Sequence, residues 1–339
     1  METPLVNDLK RGLTEKRAHL DEWCETCEQG AKEACLGEAG ETKLQEHLHV
    51  IDMSLQKLEQ GSLGVCEVCQ GTVDAGLLRM DYTACVCLDH YSEQERRQLE
   101  NDLELSQVVQ RAMLPQRTPI IEGFDISAFS RPAQIIGGDY FDFLQFKDRT
   151  HGFVVADVSG HGVSAGMLMT SLQTAFQTLV PENNSPVAVL ERINRLYIHN
   201  INFTTFVTIF FSRLDPATRT LTYANAGHNQ AYFYRRGLNE ETWLGPTGPA
   251  IGLMEEFKIT PKELQLETHD ILLLYTDGVT EAENSRGEQF GRERLADAVR
   301  RNGDLPATEL IRMILQAVNE FADGTPVEDD ITLVVYKAN

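Results

Sequence analysis

His151-Gly152-Phe153-Val154-Val155-Ala156-Asp157-Val158-Ser159-Gly160-His161-Gly162 is the stretch on which the reading of this chain turns. Four apolar residues, Phe153 to Ala156, run into a lone aspartate; a Gly-His-Gly turn follows, and then a long helical run from Val163 to Val180. A buried strand that ends in a carboxylate is costly, because an unpaired buried carboxylate forfeits its hydration. Taken alone, Asp157 is also readable as the cap of a strand-to-helix turn. Recurrence of the same construction argues for more.

Ile271-Leu272-Leu273-Leu274-Tyr275 ends in Thr276-Asp277-Gly278, Asp329-Asp330 leads into the β-branched run Ile331 to Tyr336, and Gly137-Gly138 precedes Asp139 at a strand boundary. No basic residue stands within three positions of Asp157 or Asp277. Carboxylates alone, offered from strand ends and loops, suit hard oxygen-seeking cations such as Mg²⁺ or Mn²⁺. The pattern predicts a two-metal hydrolase site.

Five motifs occur in order: Gly137-Gly138-Asp139-Tyr140-Phe141-Asp142, Ala156-Asp157-Val158-Ser159-Gly160-His161-Gly162, Asn225-Ala226-Gly227-His228-Asn229, Tyr275-Thr276-Asp277-Gly278-Val279-Thr280-Glu281 and Asp329-Asp330-Ile331-Thr332-Leu333-Val334-Val335. In this order they resemble the metal-dependent protein serine/threonine phosphatases (the PPM, or type 2C, family), in the bacterial RsbU/SpoIIE branch, over residues 105–337. The resemblance implies an α+β fold, a PPM-type β-sandwich of two sheets flanked by helices. It implies that Asp157 bridges two Mn or Mg ions with the Val158 carbonyl as a further ligand, that Asp139 serves the second ion, and that Asp277 and Asp329 serve the first. Asp330 then supports the ligands from behind. The implied reaction is hydrolysis of phosphoserine or phosphothreonine by a metal-activated water. The implied partner is a phosphorylated signalling protein such as an anti-sigma-factor antagonist. Two features of the eukaryotic branch are replaced: Ser159 stands in place of a histidine and Ile135 in place of an arginine, which leaves the leaving-group acid unassigned. His161 is expected to shape its turn, and His228 either supports the site or holds a turn of its own.

The chain has 339 residues, which suggests two domains or one with an appendage, and its 42% apolar content is ample for a packed core. A net charge of −21 would repel a polyanion, so nucleic-acid binding is not expected. No run long enough to span a membrane and no secretory signal is read, so a cytoplasmic location is expected.

All seven cysteines, Cys24, Cys27, Cys35, Cys66, Cys69, Cys85 and Cys87, lie in the first 87 residues. Leu5, Leu9, Leu13 and Leu20 repeat at helical spacing, as do the apolar residues from Lys43 to Gln60, which predicts a helical hairpin over 1–60. Cys66-Glu67-Val68-Cys69 and Cys87-Leu88-Asp89-His90 are two knuckles able to close a tetrahedral site for one zinc ion over 61–91. Cys85 is a rival to His90 for the fourth place. Residues 58–69 resemble the DksA/TraR-type zinc finger, although His90 departs from its cysteine pattern. Residues 92–115 read as a linker helix stopped by Pro115, with Leu99, Leu103, Val109 and Met113 tending to one face. In RsbU-type phosphatases the equivalent helix is associated with dimerisation, which implies a homodimer here. The catalytic domain is expected over 116–339. The competing expectation is a catalytically silent zinc-finger scaffold.

Overall fold

The computed structural model describes residues 9, 10, 13, 14, 17, 40–73, 78, 85–87, 90, 92–160, 162–200, 206–326 and 329–339. Cys24, Cys27, Cys35 and His161 lie outside these residues. The chain divides into two compact units, 1–102 and 103–339, so the division falls inside a helix rather than in a loop.

In the first unit, helix α1 (Gly40–Glu59) turns Leu48, Ile51 and Leu58 inward at helical spacing. They meet Leu13 and Leu63, and Leu9 packs on the same cluster. Residues 9, 10, 13, 14 and 17 are helical, and Arg17 donates to Asp52 of α1 at 2.7 Å; the rest of the expected first arm lies outside the described residues.

Helix α2 (Glu93–Met113) is followed by Pro115, as its sequence predicts. Its last turns turn Gln110 inward and leave Leu105, Val108 and Val109 exposed at 63%, 62% and 52%. Val109 therefore does not share the half-buried face of Leu103 and Met113.

Among its described residues the second unit contains ten strands: β1 (Phe124–Arg131), β2 (Tyr140–Gln145), β3 (His151–Val158), β4 (Val207–Asp215), β5 (Thr220–Ala226), β6 (Ala231–Arg235), β7 (Glu240–Leu244), β8 (Lys262–Gln265), β9 (Asp270–Tyr275) and β10 (Ile331–Ala338). They form two five-stranded sheets, ordered β1-β10-β9-β6-β7 and β2-β3-β4-β5-β8, with antiparallel neighbours throughout. Helices α3 (Val163–Leu179) and α4 (Pro186–Asn200) cover the second sheet. A helical turn α5 (Asp277–Thr280) leads on from β9, and helices α6 (Gly291–Asn302) and α7 (Ala307–Ala322) cover the first sheet.

This layering explains the unbroken apolar runs. Along β3, Val154, Ala156 and Val158 face the helices while Phe153 and Val155 face the other sheet. Along β9, Ile271, Leu273 and Tyr275 face helices while Leu272 and Leu274 face inward. A strand buried on both faces has no polar side to alternate with, and each fully buried large side chain contributes about 1.5–3 kcal/mol. The inter-sheet layer is rich in rings: Phe153 meets Tyr336 edge-on with centroids 4.4 Å apart.

Antiparallel pairing also decides where the acids go. Tyr140 pairs with Ala156, so the start of β2, after Asp139, lies beside the end of β3, which carries Asp157. Leu333 pairs with Tyr275, so Asp330 before β10 lies beside Asp277 after β9. Each sheet thus brings a strand start and a strand end together at an acidic edge.

Candidate active site

Each aspartate reaches the site by its own local device. Asp157 is the penultimate residue of β3 and faces Thr208 of β4 across the ladder. Beyond it Ser159 closes the strand: its N–H donates to the Phe206 carbonyl at 3.0 Å and its hydroxyl accepts from the Phe206 N–H at 2.9 Å. Ser159 is thereby committed to the backbone and does not stand in for the histidine of the eukaryotic branch.

Asp139 is buried, 6% exposed. Its Oδ2 accepts from the hydroxyls of Thr276 at 2.8 Å and Thr332 at 2.6 Å. Asp330 holds the loop in front of Asp139: its Oδ1 accepts from the N–H of Ala133 at 2.7 Å, and its Oδ2 from those of Gly138 at 2.6 Å and Asp139 at 3.2 Å. Gly137 allows this grip, since a Cβ there would lie 2.5 Å from Asp330 Oδ2. The same loop is held from α2, where Gln110 donates to the Gly137 carbonyl at 2.7 Å and accepts from its N–H at 3.1 Å, while Gln107 donates to the Ile135 carbonyl at 2.9 Å. Gly278 serves the other sheet: a Cβ there would stand 2.1 Å from the Asp330 carbonyl oxygen, so only glycine lets α5 pass so close to β10.

Burial and mutual repulsion act together on these groups. Burial, then Asp277, Asp329, Asp330 and Glu281, push Asp157 up to about 7. Burial, then Asp329 and Glu281, push Asp277 up to about 6. Asp139 is raised well above the carboxylate range by burial and by Asp157 and Asp330. Asp330 is raised by burial against its three N–H donors. In every case the neighbouring charges that raise these groups are other carboxylates. An all-oxygen, anionic donor set in this condition fits hard divalent cations, whose charge would relieve the repulsion. Asp139, Asp157, Asp277 and Asp329, with the Val158 carbonyl, are the donors available; that carbonyl lies 3.0 Å from where a Cβ on Gly138 would sit.

The second predicted set draws together more tightly. One ligand atom each from Cys66, Cys69, Cys87 and His90 lie within 4.8 Å of one another, and among the described residues no group of three or more carboxylates comes together that closely. The Cys69 and Cys87 sulfurs are 3.7 Å apart. Burial pushes the Cys66 thiol up, but the backbone N–H groups of Cys69, Cys87 and Val68 outweigh it and bring it down to about 6. An acidic thiol is the form a metal binds. Cys85 stands outside the set; its carbonyl accepts from the Glu67 N–H at 2.8 Å.

His228 is buried at 3% exposure, with Nδ1 2.8 Å from the Thr208 hydroxyl and its N–H donating to Asn225 Oδ1 at 2.8 Å. Burial holds its ring down at about 4 against a hydrogen bond with the Tyr275 backbone, so at neutral pH it is a neutral imidazole that braces its turn rather than an imidazolium acid. Arg131 lines a cleft of about 320 Å³ together with Asp139, Asp330, Gln107, Gln110 and Arg111. Glu281, Gln110, Thr276 and Thr332 are absent from the sequence-based set of candidates. Glu281 had a signal, as an acid four residues past Asp277; Thr276 and Thr332 are polar residues on or beside apolar, buried strands, which marks a partner without naming it, whereas Gln110 sits on a polar helix and carries no such mark.

Two antiparallel sheets between pairs of helices, with acids at strand ends, define the PP2C-type protein serine/threonine phosphatases, and the chain is an enzyme of this class. Residues 147–339, more than half of the chain, match the family model described as stage II sporulation protein E, and the chain belongs to this SpoIIE family. It is 28% identical to the phosphoserine phosphatase RsbU of Bacillus subtilis over 242 residues, 71% of each chain. Its fold is similar to the SiaA PP2C domain of Pseudomonas aeruginosa, with a TM-score of 0.63 at 23% identity over 72% of this chain and 99% of that one. It is also similar to RsbX crystallised in complex with magnesium, with a TM-score of 0.51 at 15% identity over 66% of this chain and 99% of that one. Among the described residues no helix is long and apolar enough to cross a membrane.

Proposed function

We propose that the chain removes phosphate from phosphoserine or phosphothreonine on a small signalling protein, of the anti-sigma-factor-antagonist kind, with two Mn²⁺ or Mg²⁺ ions held by Asp139, Asp157, Asp277, Asp329 and the Val158 carbonyl. The observation that carries this reading is the set of strand-end carboxylates, Asp139 buried and Asp157 and Asp277 half-buried, each raised by burial and by neighbouring carboxylates. The similarity to RsbU supports the substrate class. When bound, such cations would acidify a water and neutralise phosphoryl charge. Asp157, which feels the charges of Asp277, Asp329 and Asp330, would serve both ions, with Asp277 and Asp329 serving one and Asp139 the other. Asp330 keeps the Asp139 loop in place through three N–H groups and is not itself a ligand.

Cys66, Cys69, Cys87 and His90 hold one zinc ion, with Cys85 apart. Helix α2 passes control to the site. Its inner face grips Ile135 and Gly137, just before Asp139, while Leu105, Val108 and Val109 form an exposed apolar seam that pairs with a second copy of the chain.

The test is hydrolysis of a phosphoserine peptide with added Mn²⁺. Asp157→Asn should cut turnover by about a thousandfold or more, the order by which removal of a central catalytic group lowers rates, in a protein that still folds. Full turnover in a folded Asp157→Asn protein would remove the centre from the account.

A further inference from the structure

Three strands of one sheet send hydroxyls toward an aspartate that belongs to the other. Thr276 directly follows β9, Thr332 is the second residue of β10, and Ser130, on β1, is the ladder partner of Thr332. Both threonines are fully buried, 0% exposed. A hydroxyl carries one proton and two acceptor lone pairs, so its bonds can be assigned by counting. Thr276 Oγ1 accepts from the Thr332 N–H at 2.9 Å, and its proton goes to Asp139 Oδ2 at 2.8 Å rather than to the Asp330 carbonyl at 3.4 Å. Thr332 Oγ1 lies 2.6 Å from the same Asp139 oxygen and 3.1 Å from Ser130 Oγ. The carboxylate is the stronger acceptor and takes the Thr332 proton, so Ser130 donates to Thr332. The chain of donors therefore runs Ser130 to Thr332 to Asp139, with Thr276 converging from the neighbouring strand.

Both hydroxyls end on one oxygen, Oδ2. We infer that Thr276 and Thr332 are positioning residues for Asp139: they occupy Oδ2 and set the plane of the carboxylate, so that Oδ1 is the oxygen offered to a cation. The inference rests on Asp139 being a metal ligand, as proposed above. It gives this pair a role that neither Asp330 nor Gln110 performs, since those hold the backbone of the loop while the threonines hold the carboxylate itself. It also makes the second-metal ligand depend on the register of β9 against β10, because the two hydroxyls converge only when Thr276 and Thr332 lie side by side at the sheet's end.

The test uses the full chain freed of Mn²⁺ and Mg²⁺ and titrated with Mn²⁺ by calorimetry, with free Mn²⁺ followed by electron paramagnetic resonance. Thr276→Val and Thr332→Val keep shape and remove the hydroxyl; Thr276→Ser and Thr332→Ser restore it. The valine variants should bind the weaker Mn²⁺ about 10–100-fold less tightly, the range typical for loss of a group that orients a metal ligand, with the serine variants near the parent. The Mn²⁺ concentration for half-maximal turnover should rise in parallel while kcat at saturating Mn²⁺ changes much less. If the hydroxyls only satisfy the fold, the valine variants will melt at lower temperature without Mn²⁺ yet bind both ions with parental affinity, which overturns the inference. Asp139→Asn separates the two readings. Parental Mn²⁺ binding there removes Asp139 from the centre and the inference with it, whereas weakened binding in Asp139→Asn beside unaltered valine variants defeats the inference alone. Should a valine variant not fold, the alanine and serine pair at each position provides the same comparison.

Discussion

The two clusters of ligand-type residues in this chain are built in opposite ways. The aspartates stand at the edge of a sandwich whose three apolar layers are complete without them, so the fold places the site. Among the described residues the Cys/His group has a small core: its buried cluster is Cys66, Val73, Leu78 and Cys87, and two of those four are candidate ligands. There the candidate ligands form half of the core. Carboxylates forced together by a stable scaffold repel and titrate abnormally, whereas thiols gathered by short backbone turns need an ion to keep them there.

Metal removal should expose that contrast most sharply. Structural zinc in finger peptides is worth on the order of 10–16 kcal/mol. Cys66→Ser, or stripping with a thiol-modifying reagent, should unfold residues 61–90 while the catalytic half keeps its melting transition. Cys85→Ser should retain one zinc per chain. Elemental analysis and hydrogen exchange read both outcomes, and protection of 61–90 in zinc-free protein would contradict the contrast.

A smaller effect separates the halves by pH. The folded-state values of about 7 for Asp157 and about 6 for Asp277 lie above the ordinary 3.8. A raised folded value means that the folded state prefers the protonated acid. The stability this contributes is complete below pH 3.8 and is lost as pH rises through about 6 and 7. The metal-free catalytic half should therefore melt at lower temperature near pH 8 than near pH 5, and saturating Mn²⁺ should flatten or reverse the slope, because it binds the deprotonated carboxylates. A metal-free melting temperature that rises over this interval would count against repulsion in the aspartate cluster.

The smallest expected effect concerns α2. Leu103 is half-buried, so the outward handle is Leu105. Leu105→Lys should shift the protein toward monomer in sedimentation at micromolar concentration and move the Mn²⁺ requirement by about tenfold, equivalent to about 1.4 kcal/mol in an active-state equilibrium. An unchanged sedimentation profile and Mn²⁺ requirement would leave α2 as a brace for its own domain.

Strands buried on both faces could be read directly from the chain. Phe153 to Ala156 and Ile271 to Tyr275 are apolar without a break, Ile331 to Tyr336 is interrupted only by Thr332, and their ends carry the acids. Edge strands were not legible: β7 (Glu240–Leu244) and β8 (Lys262–Gln265) are mostly polar because one edge of each lacks a partner and faces solvent.

The sequence by itself determined the class of the fold, the four strand-end aspartates and the Cys/His spacing, because burial and turn chemistry act over a few neighbouring residues. Only the tertiary structure decided that Thr276 and Thr332, 137 and 193 residues from Asp139, share one of its oxygens. It also decided that Gln110 reaches Gly137 and that Glu281 adds to the charge on Asp157. The physical reason is that a hydroxyl or amide has no preferred partner until the sheets close; which acceptor it meets depends on strand register, and register emerges from the packing of the whole sandwich.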